Sequence, residues 1–259
     1  MVATEPHRSL RAVHSRSPAV TRAVAILEEL ARSPLPLSQL ARRLDLAKST
    51  VANLCAALEA CRMVRRVDGR WTLDHKVVEL GQGFLPGTSV VDEFVRYCAM
   101  LPVASAETIL LSVLDDMDVV YLARHDGTQN IRLASDVGQR LPAVVSGMGK
   151  ALLAALPPGE LESRLAALDS LPLLTRRSHR DVSELRRDLF ETRRRGYAID
   201  REENTDGVTC FGIALAGGRS ICAAVSVTIL TVRLTQELQD ALVVDLRRLA
   251  DHLSIVAAH

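Results

Sequence analysis

The sequence predicts an α+β fold in separate parts: a small helical unit closed by a β-hairpin, one connecting helix, and a larger unit of antiparallel sheet flanked by helices. Two observations predict it. Residues 18–60 repeat apolar groups at helical spacing, and 63–73 follow as a short alternating run with an Asp-Gly turn. From Glu107 the period shortens to that of strands, and helical spacing returns near Met148. The expected parts are a polar arm at 1–16, a helical and hairpin unit at 17–85, a linker helix at 86–104, and an α+β unit at 105–259.

In the first unit, Ser17-Pro18 opens a helix whose expected buried stripe is Val20, Val24, Leu27 and Leu30. Residues 37–59 then read as two short helices joined at Asp45-Leu46-Ala47. Leu40, Ala41 and Leu44 pack the first helix, and Val51, Leu54 and Leu58 pack the second. Ala41 is small where helices must cross closely, and Leu46 can plug the space between them. Asp45 tolerates the left-handed backbone such a turn requires. Ser38 and Ser49 are candidate caps. Lys48, Ser49, Thr50, Ala52, Asn53 and Ala56 remain on the outer side, a small, polar, basic face of the kind a DNA major groove accepts. After Cys61 the run Met63–Leu73 turns at Asp68-Gly69, a two-residue hairpin signal. Three helices and a basic hairpin describe a winged helix-turn-helix; a plain helical hairpin with a solvated edge is the competing description.

Gly81, Gly83, Pro86 and Gly87 read as breaks, and Ser89–Val103 as one helix with Val90, Phe94, Tyr97, Cys98 and Leu101 on its apolar side. Residues 108–125 read as strand, turn, strand, with Asp115-Asp116 near the turn, and 130–135 as a third strand. Helices are expected from Met148 or Gly149 to Leu156, over 159–168 and 182–195, and as a closing amphipathic helix over 235–257. Strands are expected at 197–200, 209–215 and 220–229.

Composition narrows the function. Net charge is only +1, yet residues 1–75 hold 12 Lys/Arg against 7 Asp/Glu and the remainder 20 against 24. A cationic front and an anionic rear direct only the front to a polyanion. The five cysteines, Cys55, Cys61, Cys98, Cys210 and Cys222, show no C-x-x-C spacing, which fits free thiols in a cytoplasmic protein and neither a disulfide framework nor a zinc knuckle. The polar first residues do not read as a secretory signal, and no apolar run approaches the ~20 residues that span a bilayer. The seven histidines are scattered, and none neighbours a nucleophile in a recognisable pattern, so no catalytic residues, metal ligands or cofactor are assigned. A metabolite-binding protein or enzyme that does not bind DNA is the alternative.

Several segments together resemble the IclR family of bacterial transcriptional regulators: AVTRAVAILEELA at 19–31, LSQLARRLDLAKSTVANLCAALEA at 37–60, GRWTLDHKVVELG at 69–81, SGMGKALLAAL at 146–156, RRRGYAIDREEN at 193–204 and GVTC at 207–210. The resemblance runs from about Pro18 to Ile255. It implies an N-terminal winged helix-turn-helix, a linker helix and a GAF-like effector-binding domain, assembled as a homodimer or dimer of dimers on double-stranded operator DNA. It also implies a small-molecule effector, often a carboxylate; that no membrane partner is expected follows from the lack of a spanning apolar run. Two positions depart from the family's habit near the recognition helix: Ala47 stands where Pro is usual and Asn53 where Arg is common. The operator sequence therefore cannot be borrowed from relatives.

The DNA-binding candidates are Arg43, Lys48, Ser49, Thr50, Asn53, Arg65, Arg66 and Arg70. Lys48 can neutralise a phosphate, Ser49 and Thr50 can bond phosphate or base edges, and Asn53 can form two hydrogen bonds to adenine. In the rear unit, Ser146-Gly147-Met148-Gly149-Lys150 precedes a helix and exposes N–H groups suited to an anion. It lacks the spacing of a nucleotide-binding P-loop, and Ala151 stands where that motif needs Ser or Thr. The family resemblance maps the effector site onto Gly147, Met148, Asp200, Cys210, Ser226 and Thr228, with Thr228 in place of a common Ser. Read without the family, Cys210 is a buried thiol and Asp200 a strand end.

Overall fold

The computed structural model describes residues 16–84, 89–129, 136–216 and 223–257. The chain forms two compact units, 1–85 and 86–259. The expected strand at 130–135 and, of the expected arm at 1–16, all but residue 16 lie outside the described residues.

The first unit contains α1 (Pro18–Arg32), α2 (Leu37–Leu44), α3 (Lys48–Ala60), the hairpin β1 (Val64–Val67) and β2 (Arg70–Leu73), and α4 (Lys76–Phe84). Its core is Ile26, Leu30, Leu35, Leu40, Ala41, Val51, Cys55, Val64 and Trp71. The α1 stripe is therefore rotated from the expected one: Ile26 and Leu30 are buried, whereas Val20 and Val24 are 62% and 41% exposed. On α3 the fully buried anchors are Val51 and Cys55, with Leu54 and Leu58 only partly buried. Neither serine caps its helix. Pro36 precedes α2 and Ala47 precedes α3, and no side chain bonds either first turn. Asp45 does adopt the left-handed conformation, with φ 54°. Helix α4 was not expected; it runs through Gly81 and Gly83, whose cost of about 1 kcal/mol each is too small to prevent it.

The second unit opens with α5 (Ser89–Cys98), shorter than the expected helix over 89–103. Pro102 disfavours helix at Leu101, and the chain is caught instead by Asp245, whose Oδ2 accepts the N–H groups of Val103 and Ala104 at 2.8 and 2.9 Å. The strands are β3 (Thr108–Asp115), β4 (Asp118–His125), β5 (Arg140–Pro142), β6 (Ala198–Arg201), β7 (Val208–Ala214) and β8 (Ala223–Leu230). The helices are α6 (Gly147–Ala155), α7 (Pro158–Ala166), α8 (Val182–Arg195) and α9 (Gln236–Ala257). The six strands pair antiparallel in the order β5-β4-β3-β8-β7-β6. Strand β5 was not anticipated.

Alternation along the strands divides the sheet into two faces. Ile109, Leu111, Val225, Val227 and Phe211 pack with α5 and α9. Leu110, Tyr121 and Ala224 pack with α6, α7 and α8. The strands thus lie between two helical layers, and the second face carries the polar residues considered next.

Candidate functional site

Helix α3 begins directly after the left-handed turn at Asp45. Leu46 closes that turn, its N–H bonding to Ala41 O at 2.9 Å. Lys48, Ser49 and Asn53 are exposed and Thr50 is half-buried, all set away from Val51 and Cys55. No acidic residue occupies the first turn of α3, so its uncapped N–H groups and positive dipole end meet solvent unopposed. Arg43 is also exposed but leans back on α1, its Nη1 3.0 Å from Glu29.

The hairpin turns through Asp68 at φ 49° and Gly69 at φ 75°, a pair of left-handed residues that gives the tight hairpin its twist. Pairing sets Arg65 opposite Thr72, Arg66 opposite Trp71 and Val67 opposite Arg70. Opposed residues share a face, so the three arginines do not form one cluster. Arg65 and Arg70 lie on one face, and Arg66 lies on the other beside Trp71. Arg70 also reaches Pro34 O at 3.4 Å.

In the second unit, one cross-strand row brings Asp200, Cys210, Thr228 and Thr108 together. The neighbouring row holds Gly212, Ser226 and Leu110. The start of α6 lies over these rows. A Cβ on Gly212 would come within 2.3 Å of Gly147 O and 2.6 Å of Met148 N, so only glycine allows the helix this close. The expected cup residues, Gly147, Met148, Asp200, Cys210, Ser226 and Thr228, therefore converge.

Ser146 caps α6 by accepting the Gly149 N–H at 3.0 Å, and Lys150 N bonds to Ser146 O. The N–H groups of Gly147 and Met148 have no partner among the described residues. They are buried donors aimed from a helix N-terminus. Cys210 Sγ lies 3.3 Å from Thr228 Oγ1. Asp200 is 2% exposed, and its Oδ1 accepts the N–H of Glu203 at 2.7 Å and of Asn204 at 3.4 Å. Burial, helped by the nearby Glu203 carboxylate, pushes Asp200 up to about 7. Burial and Asp200 likewise raise the Cys210 thiol well above its ordinary range.

Sequence reasoning missed Tyr121, Thr108 and Ser112 on this face. Burial raises the Tyr121 phenol, with Cys210 and Asp200 adding to the effect, which places the ring beside the cup. Ser112 is 0% exposed and its hydroxyl has no partner among the described residues. The alternation of β3 was the available signal, but identifying this face required the sheet order.

A winged helix-turn-helix joined to a domain with unsatisfied buried donors over a polar sheet row defines a class: DNA-binding regulators that respond to a small molecule. Residues 19–68 match the IclR helix-turn-helix domain, and residues 83–255 match the bacterial transcriptional regulator IclR C-terminal domain. The chain belongs to the IclR family of bacterial transcriptional regulators. It is 32% identical over 247 residues to the transcriptional regulator SauR of Cupriavidus necator, covering 93% of this chain and 96% of that protein. It is 29% identical to the transcriptional repressor AllR of Escherichia coli K12, covering 85% of this chain and 82% of that one. An IclR transcriptional regulator from Alicyclobacillus acidocaldarius has the same fold, with a TM-score of 0.80 at 23% identity, covering 94% of this chain and 100% of that one. Among the described residues no helix is long and apolar enough to cross a membrane.

Proposed function

We propose that this chain regulates a catabolic operon by reading operator DNA with Lys48, Ser49, Thr50 and Asn53 of α3, steadied on the phosphates by Arg43 and by the wing residues Arg65, Arg66 and Arg70, and that a small carboxylate in the second unit controls that binding. The supporting observation is the cup. The free N–H groups of Gly147 and Met148 suit an anion, while an Asp200 that titrates near 7 can offer a proton rather than a repelling charge. Ser226, Thr228 and Cys210 complete the polar lining. On this reading, 17–85 is the DNA-binding domain, 86–104 the linker and 105–259 the effector domain, with 1–16 an arm outside them. The exposed Val20 and Val24 on α1 fit pairing of two copies, as a homodimer or dimer of dimers on a two-half-site operator.

The test uses the full-length protein and DNA flanking its own gene, read by fluorescence anisotropy. Asn53→Ala should reduce discrimination between operator and random DNA by about 1–3 kcal/mol. Arg65→Ala should weaken both DNAs alike and lower the salt slope by about one ion. Equal losses on both DNAs for both variants would contradict this division of labour. A thermal-shift panel of small organic acids, aromatic ones included, tests the effector. A stabilising acid that still acts on a Thr228→Val, Ser226→Ala protein would place the ligand elsewhere.

A further inference from the structure

The second unit also carries a cleft apart from the cup. This cleft, of about 540 Å³, is lined by residues of α8, of β6 and of the segment before α8, among them Arg177, Arg187, Arg201, His179, Asp188 and Glu203. Strand alternation sends Asp200 to the cup and its neighbour Arg201 to the cleft. The floor is set by Lys150, which is 0% exposed. Its Nζ lies 2.6 Å from Asp188 Oδ2, from both Glu203 oxygens and from Ile199 O.

His179, Asp188 and Glu203 have the composition of a metal site, but the Lys150 ammonium already occupies the space between the two carboxylates. A divalent ion would need the same oxygens beside a buried positive charge. Lys150 and Arg195, whose Nη2 lies 3.3 Å from Asp188 Oδ1, together offset the two acids at the floor. The other acids are engaged as well: Glu184 accepts the Arg180 N–H at 2.9 Å, and Glu191 pairs with Arg194 at 2.9 Å. By contrast, the guanidinium groups of Arg187 and Arg201 have no ion pair or side-chain hydrogen bond among the described residues, and Arg177 is held only at 3.8 Å by Glu202. The acids are spent and Arg195 is held by Asp188, while the guanidinium groups of Arg187, Arg201 and Arg177 remain available.

We propose that this cleft is a second ligand site, separate from the cup, that takes a small organic polyanion bearing at least two carboxylate or phosphate groups. Guanidinium forks match both groups bidentately, and the volume suits a metabolite, within roughly 300–1,000 Å³. The cleft and the cup share a wall, because Glu203 bonds Lys150 through its side chain and Asp200 through its N–H.

Isothermal titration of the full-length protein with citrate, and separately with inorganic phosphate, at low ionic strength and pH 7.5 tests this. Citrate should bind once per chain. The Arg187→Ala, Arg201→Ala protein should raise its Kd at least tenfold, whereas Arg176→Ala, Arg186→Ala, which removes equal charge outside the cleft, should change it less than threefold. Circular dichroism of each variant checks that these exposed substitutions leave the fold intact. Three results would overturn the proposal: no binding of either anion, equal weakening by both arginine pairs, or citrate binding lost in Thr228→Val but kept in the Arg187, Arg201 variant.

Discussion

Replacing Asp200 with Asn should change how stability depends on pH, and the size of the change follows from burial. Unfolded, the carboxyl releases its proton near its ordinary 3.8; folded, it keeps it to about 7. Between those values the folded state holds a proton that the unfolded state has lost, so stability falls as pH rises from about 4 to about 7 and stays low above that. A gap of about three pH units corresponds to on the order of 4 kcal/mol at most, or roughly 10 °C of melting temperature for a unit of this size. Asparagine keeps an oxygen for the Glu203 and Asn204 N–H groups but cannot ionise. The melting curve of the Asp200→Asn protein should therefore gain on the wild type as pH is raised from 5 to 8, measured by far-UV circular dichroism. Trp71, the sole tryptophan, lies in the first unit and supplies an internal control by fluorescence. A melting difference that stays constant across that range would refute the assignment of a buried, largely neutral Asp200.

Lys150→Ala leaves the buried Glu203 without its cation and Asp188 with Arg195 alone, and should cost about 3–5 kcal/mol in chemical denaturation; a loss below about 1 kcal/mol would show the ammonium to be dispensable. Gly212→Ala drives a methyl against the Gly147 carbonyl. It should destabilise the protein by about 3 kcal/mol and abolish any thermal shift caused by a cup ligand, and an unchanged ligand response would mean that α6 does not need its close approach.

The helix-turn-helix was readable because its signals are local: apolar groups at fixed spacing, a turn residue that accepts positive φ, and an Asp-Gly hairpin. The β3–β4 turn was equally local, with Asp116 left-handed at φ 56°. What depended on distant partners was lost. The end of α5 is decided by Asp245, 142 residues away from Val103, and periodicity cannot report such a contact. The α1 stripe was misjudged because Val20 and Val24 are as apolar as the residues truly buried, and only packing against α3 and β2 distinguishes them. In the cup, Gly147, Met148, Asp200, Cys210, Ser226 and Thr228 came from family likeness. Their convergence depends on β6, β7, β8 and β3 lying side by side, an order that is not the order of the chain. Tyr121 and Ser112 were overlooked for the same reason. The Lys150 network was hidden because, once a phosphate loop is set aside, nothing local gives Lys150 a role, and its partners Asp188 and Glu203 lie 38 and 53 residues away.

The chain has only three lysines, Lys48, Lys76 and Lys150. Lys150 is sealed from solvent and tied to four acceptor atoms, while Lys76 is tethered to Glu79 at 2.6 Å. Lys48 stands exposed at the first position of α3, with no ion pair among the described residues. Acylating reagents, which attack accessible primary amines, therefore reach the side chains of Lys48 and Lys76 and spare Lys150, so lysine labelling falls on the first unit and leaves the second untouched.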